Sequence, residues 1–456
     1  MKKIRIGGGQ GFWGDSPDAA IHMMKEGNLD YMACDYLAEL TMSILARQKL
    51  RHPEAGYARD FVSLFEAVAL DSYHQKIGIL TDAGGMNVQG LKDKIKEVAE
   101  GKNMRGYKIA TVEGDNLLDQ IPQMIADGVN LQNIDDPELD INDIKDRLIN
   151  ANVYYGHEHI QAALEEGANL VLTGRSTDSA LFLAPLKKEL GWKDDDWDNL
   201  ARGIMAGHLL ECGGQGAGGN FQYDWRSVPD MDQLGFPIAE LSENDFVVTK
   251  APNCGGLITR ESVAEQLLYE IHDPANYITP DVTVDLSQAK LENIGENCVR
   301  LSGVKGKKRT DTLKLSIGYH AGYKVATYLP FAWPNAYEKA QAAAEILRKK
   351  MQRKGLKYKD IRIDYLGLNS LHLSIADMSD DLIKKMNEVV LRIAIHTETK
   401  EECYKLIPEI SPLQLNGPPG ASFFGGRAKP QEVIALWPCL IPRDLVKITH
   451  RVEEVK

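Results

Sequence analysis

Over residues 1–223, short apolar segments alternate with glycine-bearing turns and amphipathic stretches, and this repeat constrains the fold more than any single motif. Parallel neighbours cannot be joined by a tight turn, so a chain patterned in this way makes βα units with crossover helices. Strands are expected at residues 3–6, 29–33, 76–81, 107–112 and 169–173, each ending on polar or glycine residues. Helices are expected to start at Ser16-Pro17, to cover 160–166 and to run over 178–190. Ligands of such sheets gather at strand carboxyl ends, so the loops that follow these strands are where chemistry is sought.

The pattern changes beyond a turn-rich stretch at 224–236, and a domain boundary is placed near Leu234. Segments 246–249, 282–286, 298–302 and 313–317 read as strands with no helix between several of them. Residues 334–354 are strong helix formers, and 361–366 and 389–395 read as strands around another helix. The fold class is therefore α/β. A Rossmann-like parallel-sheet domain with glycine-rich loops spans 1–234, and 235–456 holds a β-rich middle region and a C-terminal α+β portion. A chain of 456 residues exceeds what one core usually spans, in keeping with more than one domain.

Charge narrows the function. A net charge of −12 offers no polybasic surface, which argues against nucleic acid and against anionic membranes. Six cysteines lie scattered without CxxC spacing, so neither a disulfide framework nor a structural zinc site is expected. With no apolar run near the ~20 residues of a membrane helix and no leader-like start, a cytoplasmic location is expected. No residue is assigned as a metal ligand, and the cofactor is left open.

Five segments could carry chemistry. In Gly7-Gly8-Gly9-Gln10-Gly11-Phe12-Trp13-Gly14, Gly9, Gly11 and Gly14 fit GxGxxG, and bare amides before a helix suit an anion. Bulky Phe12 and Trp13 and the lack of a placed ribose-binding acid argue against a dinucleotide there. Asp35 and Glu39 lie four apart; on one helix face they would repel, and one would keep a raised pKa suited to acid or base work. Gly84, Gly85 and Asn87 after Asp82, and Gly174, Arg175 and Ser176, end two further strands, with Arg175 able to clamp a carboxylate. Glu211, Cys212 and Gln215 sit in a glycine run echoed by Gly255 and Gly256. His208 is an alternative base. In Gly156-His157-Glu158-His159 the two imidazoles point apart on a helix start, which favours structural roles.

Together, 6–15, 34–39, 173–175, 211–215, 255–256, 265–282 and 416–418 resemble the acyclic terpene utilisation (AtuA) family over nearly the whole chain. That resemblance implies work on branched or hydroxy acids or their CoA thioesters. It also implies a small ferredoxin-like partner subunit, since longer relatives carry such a domain. A homo-oligomer is expected.

The leading expectation is a lyase or hydro-lyase acting on a carboxylic acid or acyl-CoA. Asp35, Glu39, Asp82, Glu211 and Cys212 are the catalytic candidates. Gly8, Gly9, Gln10, Gly11, Gly84, Gly85, Asn87, Gly174, Arg175, Ser176, Gln215, Gly255 and Gly256 are the substrate or anion contacts. The alternatives are a non-catalytic acyl-CoA-binding or scaffold subunit and, more weakly, an NAD(P)-dependent oxidoreductase.

Overall fold

The computed structural model describes residues 2–456, and the chain forms two compact units, Met1–Gly318 with Leu436–Lys456 and Tyr319–Ala435. In the first unit the expected βα repeat is present. Strands β1 (Lys3–Gln10), β2 (Tyr31–Cys34), β3 (Gly78–Thr81), β4 (Lys108–Glu113) and β6 (Leu170–Thr173) begin and end within a few residues of their expected places. Strand β5 (Leu148–Val153), which the sequence pattern did not reveal, carries Asn150 and Asn152 in the place of its apolar alternation and pairs outside this sheet.

The parallel core runs in the order β1-β2-β3-β6-β4. Dinucleotide-binding sheets instead place their first strand centrally, in the order 3-2-1-4-5-6. Here β1 is bordered by an antiparallel neighbour, β7 (Pro237–Ser242), followed by β8 (Phe246–Lys250) and the hairpin Cys298–Ser302 with Lys290–Gly295. At the far side Thr449–Glu454 pairs antiparallel with β4 and completes ten strands. The expected boundary at 234 therefore falls inside the first unit: five backbone pairs join β7 directly to β1.

Alternation along the strands explains the layers. Met32 and Cys34, Ile79, Ile109, and Leu170 with Leu172 face one apolar cluster, which includes residues of helices α1 (Asp18–Glu26), α3 (Asp60–Gln75) and α4 (Val88–Gly101). Ala33, Leu80, Ala110 and Val171 face the other, with α6 (Glu158–Glu165), α7 (Ala180–Leu190) and α8 (Trp197–Leu210). Between them in the chain come α2 (Glu39–Arg51) and the short α5 (Ile121–Ala126). A sheet covered on both faces requires strands apolar on both sides, and β3 and β6 are buried at every residue.

The second unit has its own core. Glu388–Thr397 is central, flanked by Asp360–Leu366 and by the part of Thr312–Ala332 from Tyr323 onward, all antiparallel. The alanine-rich face of Ala336–Arg353 and Cys403, Leu406 and Ile410 of Lys400–Ile410 pack on this sheet. Among the described residues, no helix is long and apolar enough to cross a membrane.

Close approach fixes several glycines. A Cβ on Gly8 would lie 2.4 Å from the backbone oxygen of Leu210, at the end of α8, and rigid backbone cannot yield as a side chain can. Gly8→Ala is expected to lower the unfolding free energy by about 1–3 kcal/mol in urea titrations. Gly101→Ala, with open space around its Cβ, should be neutral or stabilising by up to ~1 kcal/mol.

Candidate active site

A cavity of about 600 Å³ opens at the carboxyl ends of the parallel strands, and Asp35, Glu39, Arg175, Asp178, Glu211 and Cys212 line it. They come from three separate connections of the βα repeat. Asp35 follows β2, Arg175 and Asp178 follow β6, and Glu211 and Cys212 follow α8. Asp82, one residue beyond β3, lies just behind the wall and is fully buried.

The centre is a group of three carboxylates around one guanidinium. One oxygen from each of Asp35, Asp82 and Asp178 lies within 4.8 Å of the others. Arg175 Nη1 is 2.7 Å from Asp178 Oδ1 and 3.5 Å from Asp82 Oδ2. Its guanidinium also stacks 4.3 Å from the Tyr154 ring centroid. Arg175 itself is 3% exposed. Burial by itself would weaken its charge, but Asp178, Tyr154, Asp35 and Asp82 hold its pKa well above the ordinary value.

The carboxylates shift the other way. Burial raises Asp35 well above the usual range, and the neighbouring Asp178 and Asp82 add to it. Burial also raises Asp82, against a side-chain hydrogen bond with Asp35, the charge of Arg175 and the Tyr36 N–H that donates to its Oδ1 at 2.8 Å. Burial pushes Asp178 up to about 7, opposed by Arg175 and assisted by Glu211. Two buried carboxylates and a third, Asp178, that is 30% exposed cannot all be offset by one cation, so protons are retained.

A run of polar contacts holds Arg175 from behind. Ser43 Oγ donates to Asn150 Oδ1 at 2.6 Å, Asn150 Nδ2 to Asn152 Oδ1 at 2.9 Å, and Asn152 Nδ2 to Asp115 Oδ2 at 2.8 Å. The same Asp115 oxygen accepts the Arg175 backbone N–H at 3.0 Å. Gly174 is required for this approach, because a Cβ there would lie 2.3 Å from Asp115 Oδ1. Thus the polar residues of β5 carry a hydrogen-bonded support for the loop after β6.

Glu39 differs from the expectation built on its spacing. Helix α2 begins at Glu39, with Ala38 as its cap, so Asp35 precedes the helix and the two acids share no helical face. Glu39 pairs with Lys314 at 3.0 Å. Burial works against its charge, but Lys314 prevails and draws it down to about 2. Lys314, which no motif marked, is positioned by its backbone oxygen accepting from Tyr154 N at 2.9 Å, and its Nζ lies 4.9 Å from the Tyr154 ring centroid.

The remaining candidates divide. Burial and Glu211 push Cys212 up to about 12, so it is a thiol at neutral pH rather than a nucleophilic thiolate. His208 is buried with Nδ1 3.3 Å from Glu211. Gly11 lines the cavity, yet its amide donates to the carboxylate of Asp15 at 3.1 Å, which takes the place an anion would need. Gln10 Nε2 donates to the Ser16 backbone.

Other candidates serve packing. Gly9 abuts Cys34, Gly84 abuts the Thr173 backbone, Gly85 has a φ of 49°, and Asn87 caps α4 through Gly90 N. Ser176 is buried against Thr173 Oγ1. Gly255 and Gly256 pack on 229–230 and Ala217. Gln215 bonds Gln266 and lines a second cavity of about 720 Å³, which meets the first at Gly11, Cys212 and Tyr269. His157 and His159 point apart: His157 Nδ1 bonds Asp281 at 2.7 Å and His159 bonds His450 at 3.0 Å.

Replacing Arg175 should expose how much the carboxylates depend on it. Folding raises the pKa of Asp178 from 3.8 to about 7, so its contribution is fully present below the lower value and lost as pH rises through the upper. Arg175→Leu is expected to destabilise by about 3–5 kcal/mol near pH 8 and by much less near pH 4.5, where protons neutralise the group. Urea unfolding at the two pH values checks this.

The family model for the acyclic terpene utilisation family protein AtuA matches residues 4–452. No curated protein and no solved structure matches the chain. By that near-complete match, the chain belongs to the AtuA family.

Proposed function

We propose that the protein is an acid–base enzyme, a lyase or hydro-lyase acting on a branched or hydroxy acid presented as its CoA thioester. The observation that carries this reading is the Asp35–Asp82–Asp178 group around Arg175 at the head of a 600 Å³ cavity. Catalytic acids and bases work best with pKa values near the operating pH, and Asp178 at about 7 meets that condition. Asp35, held protonated by burial and its neighbours, supplies a complementary acid.

In this reading the Asp178 carboxylate removes the proton α to the thioester carbonyl. Asp35 gives its proton to the departing β-hydroxyl, and water leaves with the carbon–oxygen bond. One proton is taken by Asp178 and one given by Asp35, so a single proton transfer from Asp178 to Asp35 resets the site. Once Asp178 takes the proton its pairing with Arg175 weakens, and the guanidinium at the cavity wall then favours the negative charge that develops on the acyl portion.

The thioester form follows from charge. A free carboxylate would enter a cavity that already contains Asp35, Glu39, Asp178, Glu211 and Glu270, with Arg175 and Lys314 committed to Asp178 and Glu39. A thioester presents the same acyl group uncharged. The adjoining cavity of about 720 Å³, whose wall combines Phe12, Leu234 and Phe236 with Asp15, Asp18 and Asp232, supplies room for the uncharged pantetheine-like part of the remainder, with the phosphates left in solvent.

Turnover of a panel of 3-hydroxyacyl-CoA thioesters and the matching free acids, followed by ultraviolet absorbance of the unsaturated product, tests the proposal. Conversion of a thioester is expected, with a rate that rises with pH through about 7 and falls by ~10²–10⁴ in Asp178→Asn. Calorimetric binding of a thioester with no chemical change would replace the enzyme by a ligand-binding subunit.

A further inference from the structure

The same carboxylate group has a second property, which belongs to the state in which its protons are lost. Asp82 is fully buried, its Oδ1 accepts from Tyr36 N, and its Oδ2 receives no N–H or hydroxyl hydrogen bond; only a protonated Asp35 carboxyl can donate to this group, and that donor is lost when Asp35 ionises. The nearest cation to that oxygen, Arg175 Nη1, stands at 3.5 Å, beyond a good hydrogen bond. A buried carboxylate oxygen without a donor is costly, and structures that keep one usually hold something against it.

We propose that Asp35, Asp82 and Asp178 form a binding site for a hard divalent cation of the magnesium, manganese or calcium type. The donors are all carboxylate oxygens, the set such ions prefer over the nitrogen and sulfur ligands that select zinc. Their spacing fits. Oxygens held at 2.0–2.6 Å from a common ion lie up to about 4–5 Å apart, and the three here lie within 4.8 Å of one another.

Charge fits as well. Three carboxylates against one guanidinium leave two negative charges when ionised, which one divalent ion offsets. Asp35 and Asp178 line the cavity, giving the ion an entry path and open positions facing a ligand, while Asp82 anchors it from behind. The titratable and charged groups facing the site are Arg175, Glu211, Cys34, Cys212, Tyr36, Tyr154, Tyr155 and Tyr277, of which Arg175 alone is cationic. Protons and the ion then compete for the same oxygens, so affinity must rise with pH.

A second group with suitable donors, His157, Glu158 and Asp281, serves as the internal comparison. There His157 Nδ1 is already bonded to Asp281 and Glu158 is paired with Arg309. The two sites share no residue.

The site is tested on the full-length chain, stripped with chelator, by titrating Mn²⁺ and reading free ion by electron paramagnetic resonance and heat by calorimetry. One ion per chain is expected near pH 8, displaced by Mg²⁺ or Ca²⁺, with affinity falling by about tenfold or more near pH 5.5. Asp178→Asn and, separately, Asp35→Asn should each weaken binding by about tenfold or more, and Glu158→Gln by less than about twofold. Absence of stoichiometric binding by the wild-type chain overturns the proposal. So does binding that is insensitive to pH, or binding lost in Glu158→Gln. None of these readouts requires turnover, so the cation site can fail while the lyase reading stands, and the reverse.

Discussion

One guanidinium facing three carboxylates is the interaction on which the rest of the site depends. Arg175 is nearly inaccessible, touches Asp178 and Asp82, and lies over Tyr154. It keeps one positive charge where water cannot, yet it is outnumbered. The excess negative charge must be met by protons or by another cation, and both answers are chemically useful at the mouth of a cavity. Buried charge groups of this kind seldom repay their desolvation in stability, so their presence points toward function.

The fold creates this crowding by bringing strand ends together. Asp35, Asp82 and Asp178 come from loops after β2, β3 and β6, and β3 is hydrogen-bonded to both other strands. Adjacent parallel strands end about 5 Å apart, so acids placed just beyond each end are forced into mutual range. Small residues then let the loops close. Gly8 admits the end of α8 and Gly174 admits Asp115, whose hydrogen-bonded chain through Asn152 and Asn150 to Ser43 fixes the Arg175 backbone.

Much of this could be read from the residues, and the reasons for the misses are specific. The parallel core was legible because its strands are short, apolar and closed by glycine or polar residues, a local signal. Arg175, Asp35, Asp82 and Glu211 stood out as polar residues at strand or helix ends, and the structure brings them to one cavity or its wall. Asp178 was visible as part of Thr173-Gly174-Arg175-Ser176-Thr177-Asp178 but gained a role only through Asp82 and Asp35, which are distant in sequence. Lys314 and Tyr154 carried no local mark; their meeting depends on a long-range backbone bond. The glycines around Gly8 and Gly255 suggested amides open to an anion, whereas a missing Cβ equally serves the close packing seen here. Glu39 illustrates the limit of spacing arguments, because one cap residue decided which side of the helix start Asp35 occupied.

These three aspartates form one crowded group whose titration differs from that of ordinary carboxylates. Carbon-13 resonances of selectively labelled aspartate side chains, followed from about pH 3 to 9 in the metal-free protein, report that titration. A resonance that moves with a midpoint near 7 is expected, and Asp178→Asn should remove it or shift its midpoint by more than one unit. If every aspartate instead titrates between about 3 and 4.5, the group retains no proton and the three carboxylates do not act as one crowded group.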